Sequence, residues 1–130
     1  MILRYAVRVN GCTSLAVTKL DVLDGAPELK IAVGYRHQGK LYREMPADPR
    51  VLTRCDPVYE VLPGWSGTTT GATSYKALPA EAKRYLRRIE DLTSCPIDIV
   101  STGSHREHTI MLKNPMTQTR PRVKLSKVSA

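Results

Sequence analysis

The amino-acid sequence predicts an α/β domain: a mixed β-sheet fragment with a β-hairpin and one long helix. Three observations carry that expectation. Residues 28–36 alternate, with Leu29, Ile31, Val33 and Tyr35 on one face, and a Gln38-Gly39 turn follows. Residues 79–93 place Ala82, Tyr85, Leu86, Ile89 and Leu92 in a single stripe at helical spacing. Compact apolar runs at 15–20, 97–100 and 109–112 are too short for helices and read as strands.

Each element has a local reason. Met1 to Asn10 carries Leu3, Ala6 and Val7 at helical spacing, and Gly11 can supply the left-handed stop. A helix that starts at the initiating Met without a capping residue reads as a cut end. The run 15–20 is a strand that ends at Lys19 to Asp21. After the turn at 38–39, Lys40 to Met45 is expected to return as the hairpin's second strand. Val58 to Leu62 is a further short strand, closed by Pro63-Gly64. The stretch 66–74 is rich in Thr, Gly and Ser and reads as loop. Pro79 suits the first helical position and Glu81 complements the helix dipole. Beyond Asn114-Pro115 the periodicity vanishes. The expected organisation is therefore an ordered segment, 1–114, and a basic, disordered tail, 115–130.

Composition narrows the function classes. The 130 residues suffice for one modest domain, whose core must rest on Leu, Ile, Val and Ala, because the chain has six Tyr, one Trp and no Phe. The net charge of +8 is concentrated at the end, where Lys113, Arg120, Arg122, Lys124 and Lys127 stand without an acidic residue. No aromatic interleaving or recognition motif accompanies these charges, which argues against a nucleic-acid partner. Cys12, Cys55 and Cys95 are odd in number and lack C-x-x-C spacing, so neither a disulfide framework nor a zinc site is expected. His105 and His108 lie three apart without a third ligand nearby. There is no membrane-length apolar run and no signal peptide, and a cytoplasmic location with reduced thiols is expected.

Two motifs bear on chemistry. Gly34 to Leu41 matches G-x-x-x-x-G-K, yet a phosphate loop needs Ser or Thr after the Lys and a helix beneath it. Leu41 and the hairpin pattern exclude that role. Thr18-Lys19-Leu20-Asp21 is more informative, because it follows an apolar strand. Guanine presents N1–H and a 2-amino group side by side, and one carboxylate can accept from both. Asp21 suits that role, with the Lys19 stem along the base plane. Ser101-Thr102-Gly103 follows another strand, and small residues there let backbone amides approach a planar ligand. Two strand ends of this kind make a base pocket at a sheet edge.

Longer strings add a resemblance. Tyr5 to Gly11, Thr18 to Gly25, Pro57-Val58-Tyr59-Glu60 with Leu62-Pro63-Gly64-Trp65, Leu78-Pro79, and Pro96 to Gly103 occur in the order and near the spacing of the adenylosuccinate synthetase family. From Leu3 to Leu112 the chain resembles that family's C-terminal segment. The resemblance implies part of a P-loop-NTPase-like synthetase fold. It also implies participation in GTP- and Mg²⁺-dependent ligation of IMP to L-aspartate, in purine nucleotide biosynthesis. It assigns guanine contacts to Lys19, Leu20, Asp21, Ser101, Thr102 and Gly103. The family's G-D-E-G-K-G-K loop, catalytic Asp and His, and Arg-rich aspartate loop have no counterpart strings here. The Mg²⁺ ligands are therefore missing, and the chain alone is expected to be inactive.

The sequence also departs from the family pattern. Ser104-His105 stands where the family has Pro-Asp, and Ser94-Cys95 stands for Gly-Val. Loss of a Gly after the helix is expected to cost about 1 kcal/mol if that position is left-handed. The basic extension is not a family feature. Three readings stay open: a ligase fragment that keeps the guanine pocket, a stand-alone guanine-nucleotide module, and a structural remnant that binds no nucleotide. The expected partners are a guanine nucleotide and a missing N-terminal synthetase portion, or further copies of the chain.

Overall fold

A computed structural model describes residues 2–117. Most of the expected basic tail, residues 118–130, lies outside the described residues; its first residues form a turn in which the Thr117 N–H donates to the Asn114 carbonyl. In chain order the elements are α1 (Ile2–Val9), β1 (Leu15–Val17), β2 (Glu28–His37), β3 (Lys40–Tyr42), α2 (Pro49–Leu52), β4 (Asp56–Pro63), α3 (Ala80–Thr93), β5 (Ile97–Ser101) and β6 (Thr109–Met111). Short 3₁₀ turns occupy Leu20–Leu23, Tyr75–Ala77 and Arg106–His108.

Two three-stranded sheets organise the chain, in the orders β1-β5-β6 and β3-β2-β4. In the first, β1 runs parallel to β5, and β6 pairs antiparallel to β5. The second is wholly antiparallel, with β2 at its centre. The hairpin closes through Gln38 (φ 48°) and Gly39 (φ 76°). Two consecutive positive φ values make a turn whose twist matches the strands it joins. The G-x-x-x-x-G-K string is thus a strand and a turn. The return strand is shorter than the sequence predicts, ending at Tyr42 instead of Met45. The main partner of β2 is β4, paired from Glu28↔Pro63 to Arg36↔Asp56 around an irregularity between Ala32 and Gly34.

Helix ends follow their local chemistry. At the end of α1 the Cys12 N–H donates to the Val7 carbonyl and the Gly11 N–H to the Arg8 carbonyl, with Gly11 at φ 59°. This paired closure satisfies carbonyls that the helix leaves free. The short α2 was not expected. Asp48 caps it by accepting from the Arg50 N–H, and Pro49 opens it. Helix α3 ends at Ser94, which is left-handed (φ 54°, ψ 34°) and donates its N–H to the Glu90 carbonyl at 2.8 Å. Ser94, where the resemblance expects a Gly, thus takes the left-handed conformation that favours glycine.

The apolar stripe of α3 faces the core as expected. Ala82 and Leu86 are buried beside Leu20, Leu29, Trp65, Leu78, Ile97, Val100 and Ile110, with Tyr85 and Ile89 packed against them. Trp65 joins the aliphatic core, its ring centroid 6.3 Å from that of Tyr85. Arg88 grips Glu60 through two bonds of 2.8 and 2.7 Å, fastening α3 to β4.

Candidate base-binding site

The parallel register of β1 and β5 matches Ala16 with Ile99 and Val17 with Val100. The chain therefore leaves both strands at the same sheet edge. Lys19 is left-handed (φ 57°, ψ 44°) and turns the chain sharply into the 3₁₀ turn Leu20–Leu23. Leu20, only 1% exposed, plugs into the core and pins that turn. Asp21 is consequently held at the edge, facing the segment that follows β5.

Between them lies a cavity of about 340 Å³, lined by Thr18, Lys19, Asp21, Val22, Ser101, Gly103 and Ser104. Its size falls within the range of small-molecule sites. Of the six residues expected to read a base, Lys19, Asp21, Ser101 and Gly103 line this space together. Leu20 and Thr102 stand behind the wall. The Thr102 hydroxyl donates to the Ala72 carbonyl (2.8 Å), and its N–H donates to the His108 carbonyl (2.9 Å). Gly103 and Ser104 are then the backbone segment that faces the cavity from this side. The Ser101 hydroxyl donates to the Gly103 carbonyl at 3.0 Å and holds the turn.

Asp21 is the electrostatic feature of the cavity. Its Oδ1 is buried and accepts no hydrogen bond within the described residues. A buried acceptor without a donor is costly, and at the wall of a cavity it suits a ligand that donates. Gly103 makes room for His108: a Cβ there would stand 2.5 Å from His108 Nδ1, so the ring would have to shift. The His105 and His108 rings meet edge-on at 5.1 Å, and no group of three or more His, Cys, Asp or Glu positioned for a metal exists among the described residues.

Sequence reasoning missed Asp24. Its Oδ1 accepts from Trp65 Nε1 (2.6 Å) and Thr69 Oγ1 (2.7 Å). Its Oδ2 accepts from the Thr69 N–H (2.7 Å), Thr68 Oγ1 (3.0 Å), the Thr70 N–H (3.2 Å) and Thr70 Oγ1 (3.4 Å). Burial alone would raise this carboxyl's pKa, but the bonds from Trp65, Thr69 and Thr68 outweigh it and bring the value down to about 2. The available signal was the hydroxyl run Thr68-Thr69-Thr70, which offers many donors but names no acceptor.

Comparison with known proteins places these features in context. The family model for adenylosuccinate synthetase matches residues 1–110. The chain is 55% identical over 112 residues to adenylosuccinate synthetase of Carboxydothermus hydrogenoformans, covering 86% of this chain and 26% of that protein. It is 50% identical over 115 residues to the Geotalea uraniireducens synthetase, covering 88% and 27%. It is also 50% identical over 113 residues to the chloroplastic adenylosuccinate synthetase 1 of Ricinus communis, covering 87% and 26%. Among solved structures, the fully ligated adenylosuccinate synthetase from Plasmodium falciparum superposes with a TM-score of 0.77 at 29% identity, covering 85% of this chain and 27% of that one. The chain spans about a quarter of the length of the relatives it matches.

Proposed function

The chain belongs to the adenylosuccinate synthetase family, and on that premise we propose that it is the family's guanine-recognition segment, inactive in catalysis when alone. One observation carries the reading: a buried carboxylate oxygen of Asp21, without a partner among the described residues, stands on the wall of a cavity formed by two parallel strand ends. Guanine supplies what that carboxylate lacks, because N1–H and the 2-amino group are adjacent donors. The Lys19 stem covers one face of the base, and the amides of Gly103 and Ser104 receive the 6-oxo group. Adenine offers Asp21 a ring nitrogen acceptor instead, leaving a buried charge unpaired.

The same premise implies that GTP-driven ligation of IMP to L-aspartate belongs to a longer protein. In that reaction GTP phosphorylates the 6-oxygen of IMP and the aspartate amine displaces the phosphate, and Mg²⁺ would supply charge neutralisation at the phosphates. The described residues hold no carboxylate cluster suited to Mg²⁺, and the G-D-E-G-K-G-K string is absent from the sequence. The reading assigns this chain the base and no step of the transfer. Residues 1–114 form the recognition segment and 115–130 a basic tail without a family role. A cytoplasmic setting agrees with the reduced cysteines, and no helix among the described residues is long and apolar enough to cross a membrane.

Exposed apolar side chains favour a protein partner. Ile2 and Val9 on α1 are 58% and 62% exposed, and Tyr59 and Val61 on β4 are 52% and 53% exposed. Such surface seeks cover. The remaining portion of a synthetase is the natural cover, and self-association is expected in its absence.

Titration calorimetry with GDP and ADP tests the reading. GDP is expected to bind about 10- to 150-fold more tightly than ADP, the worth of a charged hydrogen bond of roughly 1.5–3 kcal/mol. Asp21→Asn should erase that preference without unfolding the chain. Equal affinity for both nucleotides, or a preference untouched by Asp21→Asn, refutes the pocket. Incubation with IMP, L-aspartate and GTP should yield no adenylosuccinate above a protein-free control.

A further inference from the structure

Asp24 does not line the cavity, yet its bonds lead to both of the cavity's walls. On one side it is the residue that closes the 3₁₀ turn bearing Asp21, donating its own N–H to the Asp21 carbonyl at 3.1 Å. On the other side its carboxylate gathers the Trp65–Thr70 segment through the six bonds described above. That segment continues directly into Gly71 and Ala72. The Gly71 N–H donates to the Thr102 carbonyl at 3.1 Å, and the Thr102 hydroxyl donates to the Ala72 carbonyl at 2.8 Å. Thr102 is wholly buried and sits between Ser101 and Gly103. The two walls are thus joined by β1 pairing with β5 below and by this chain of hydrogen bonds behind.

We propose that Asp24 is a positioning residue for the base pocket, fixing the separation between Asp21 and the Ser101–Gly103 turn; the inference rests on the guanine reading above. The carboxylate suits this role better than a neutral group. It accepts from backbone and side-chain donors on both oxygens, and all of these donors belong to one loop. Asparagine cannot replace it, since its amide nitrogen would face N–H or O–H donors whichever way it turned. A small outward shift of the loop releases Gly71 and Ala72 from Thr102, and the turn after β5 then loses its rear support. A misplacement of the Gly103 side lowers the affinity for a base that must touch both walls, and leaves the affinity for a base that fits neither unchanged.

The test uses the full chain with GDP and ADP as probes, at low temperature where circular dichroism shows each variant folded. Asp24→Asn is expected to weaken GDP binding by about 3- to 10-fold with ADP unchanged, so the preference narrows. Thr102→Val removes the hydroxyl's bonds to the Ala72 and His108 carbonyls with little change of volume while the backbone bond from Gly71 stays, and it decides the matter if Asp24→Asn fails to fold. Simple destabilisation would not move the GDP-to-ADP ratio of a folded protein. Hydrogen exchange provides a second arm: amides of residues 101–104 should lose protection in Asp24→Asn. A full GDP preference in both folded variants overturns the inference while leaving the base pocket intact. Unaltered exchange at 101–104 overturns it too. Equal GDP and ADP affinity in the parent chain overturns the guanine reading, and Asp24's role in base selection falls with it.

Discussion

Gly64 should be irreplaceable, and Gly64→Ala measures how tightly two chain segments cross. A Cβ built there stands 1.7 Å from the Ala26 carbonyl oxygen, 2.8 Å from its carbon and 3.1 Å from the carbonyl carbon of Pro27. All three are backbone atoms, so no side chain can rotate away. The segments must part by about 1.5 Å before carbon and oxygen reach ordinary contact. They are tied where they cross by the Gly25 N–H on the Trp65 carbonyl (3.2 Å) and the Gly64 N–H on the Pro27 carbonyl (3.1 Å). Loss of both bonds costs about 1 kcal/mol each. Trp65 follows immediately and is 3% exposed, so its loosened packing adds about 1–2 kcal/mol. The expected destabilisation is about 3–4 kcal/mol, a fall in Tm of roughly 10–15 °C for a domain of this size. Urea unfolding followed by the emission of Trp65, the sole tryptophan, reads both stability and local environment. Gly67→Ala serves as control, because its Cβ would meet only Pro79 Cγ at 3.6 Å. A Gly64→Ala midpoint within about 0.5 kcal/mol of the parent, with unshifted emission, would refute the reasoning.

Two further substitutions test other features. The Asp24 carboxyl titrates at about 2, below its ordinary value of 3.8, so its stabilisation is present in full above pH 4 and is lost as pH falls through 2. Partial exposure limits the effect to about 1–2 kcal/mol; urea midpoints between pH 7 and pH 2 should fall less steeply in Asp24→Asn, and parallel profiles would contradict the assignment. Ser94→Gly relieves a left-handed residue at the end of α3 and should raise stability by about 1 kcal/mol. An unchanged or lower thermal midpoint would show that the serine is not strained there.

Much of the framework was legible because its signals are local. The α3 stripe, the alternation of β2 and the Gln38-Gly39 turn each announce themselves within a dozen residues. Helix α2 was missed since Pro49–Leu52 is too short to show a period, and only its Asp48-Pro49 start carries a signal. The hairpin's return was read too long, because β4, not β3, supplies most of β2's pairing. Within the site, the residue types on each wall and their meeting at a sheet edge were read from the two strand ends, but the register that sets their separation was not. The parallel pairing of β1 with β5 joins distant parts of the chain, and no local pattern announces it. Leu20 and Thr102 are expected contacts whose side chains are buried, and a string does not reveal which neighbours turn inward. Asp24 escaped for the same reason: its six donors all lie 41 to 46 positions away.

The pairing of β1 with β5 also has a kinetic meaning. Asp21 follows β1 and Ser101 ends β5, strands joined across a long stretch of chain, and closing so long a loop is slow compared with forming α3 or the β2–β3 hairpin. The cavity is therefore expected to form late in folding. A base that touches both walls acts as a reversible clasp across that long loop. Nucleotide should slow unfolding more than it speeds folding, because the contacts it reinforces form late.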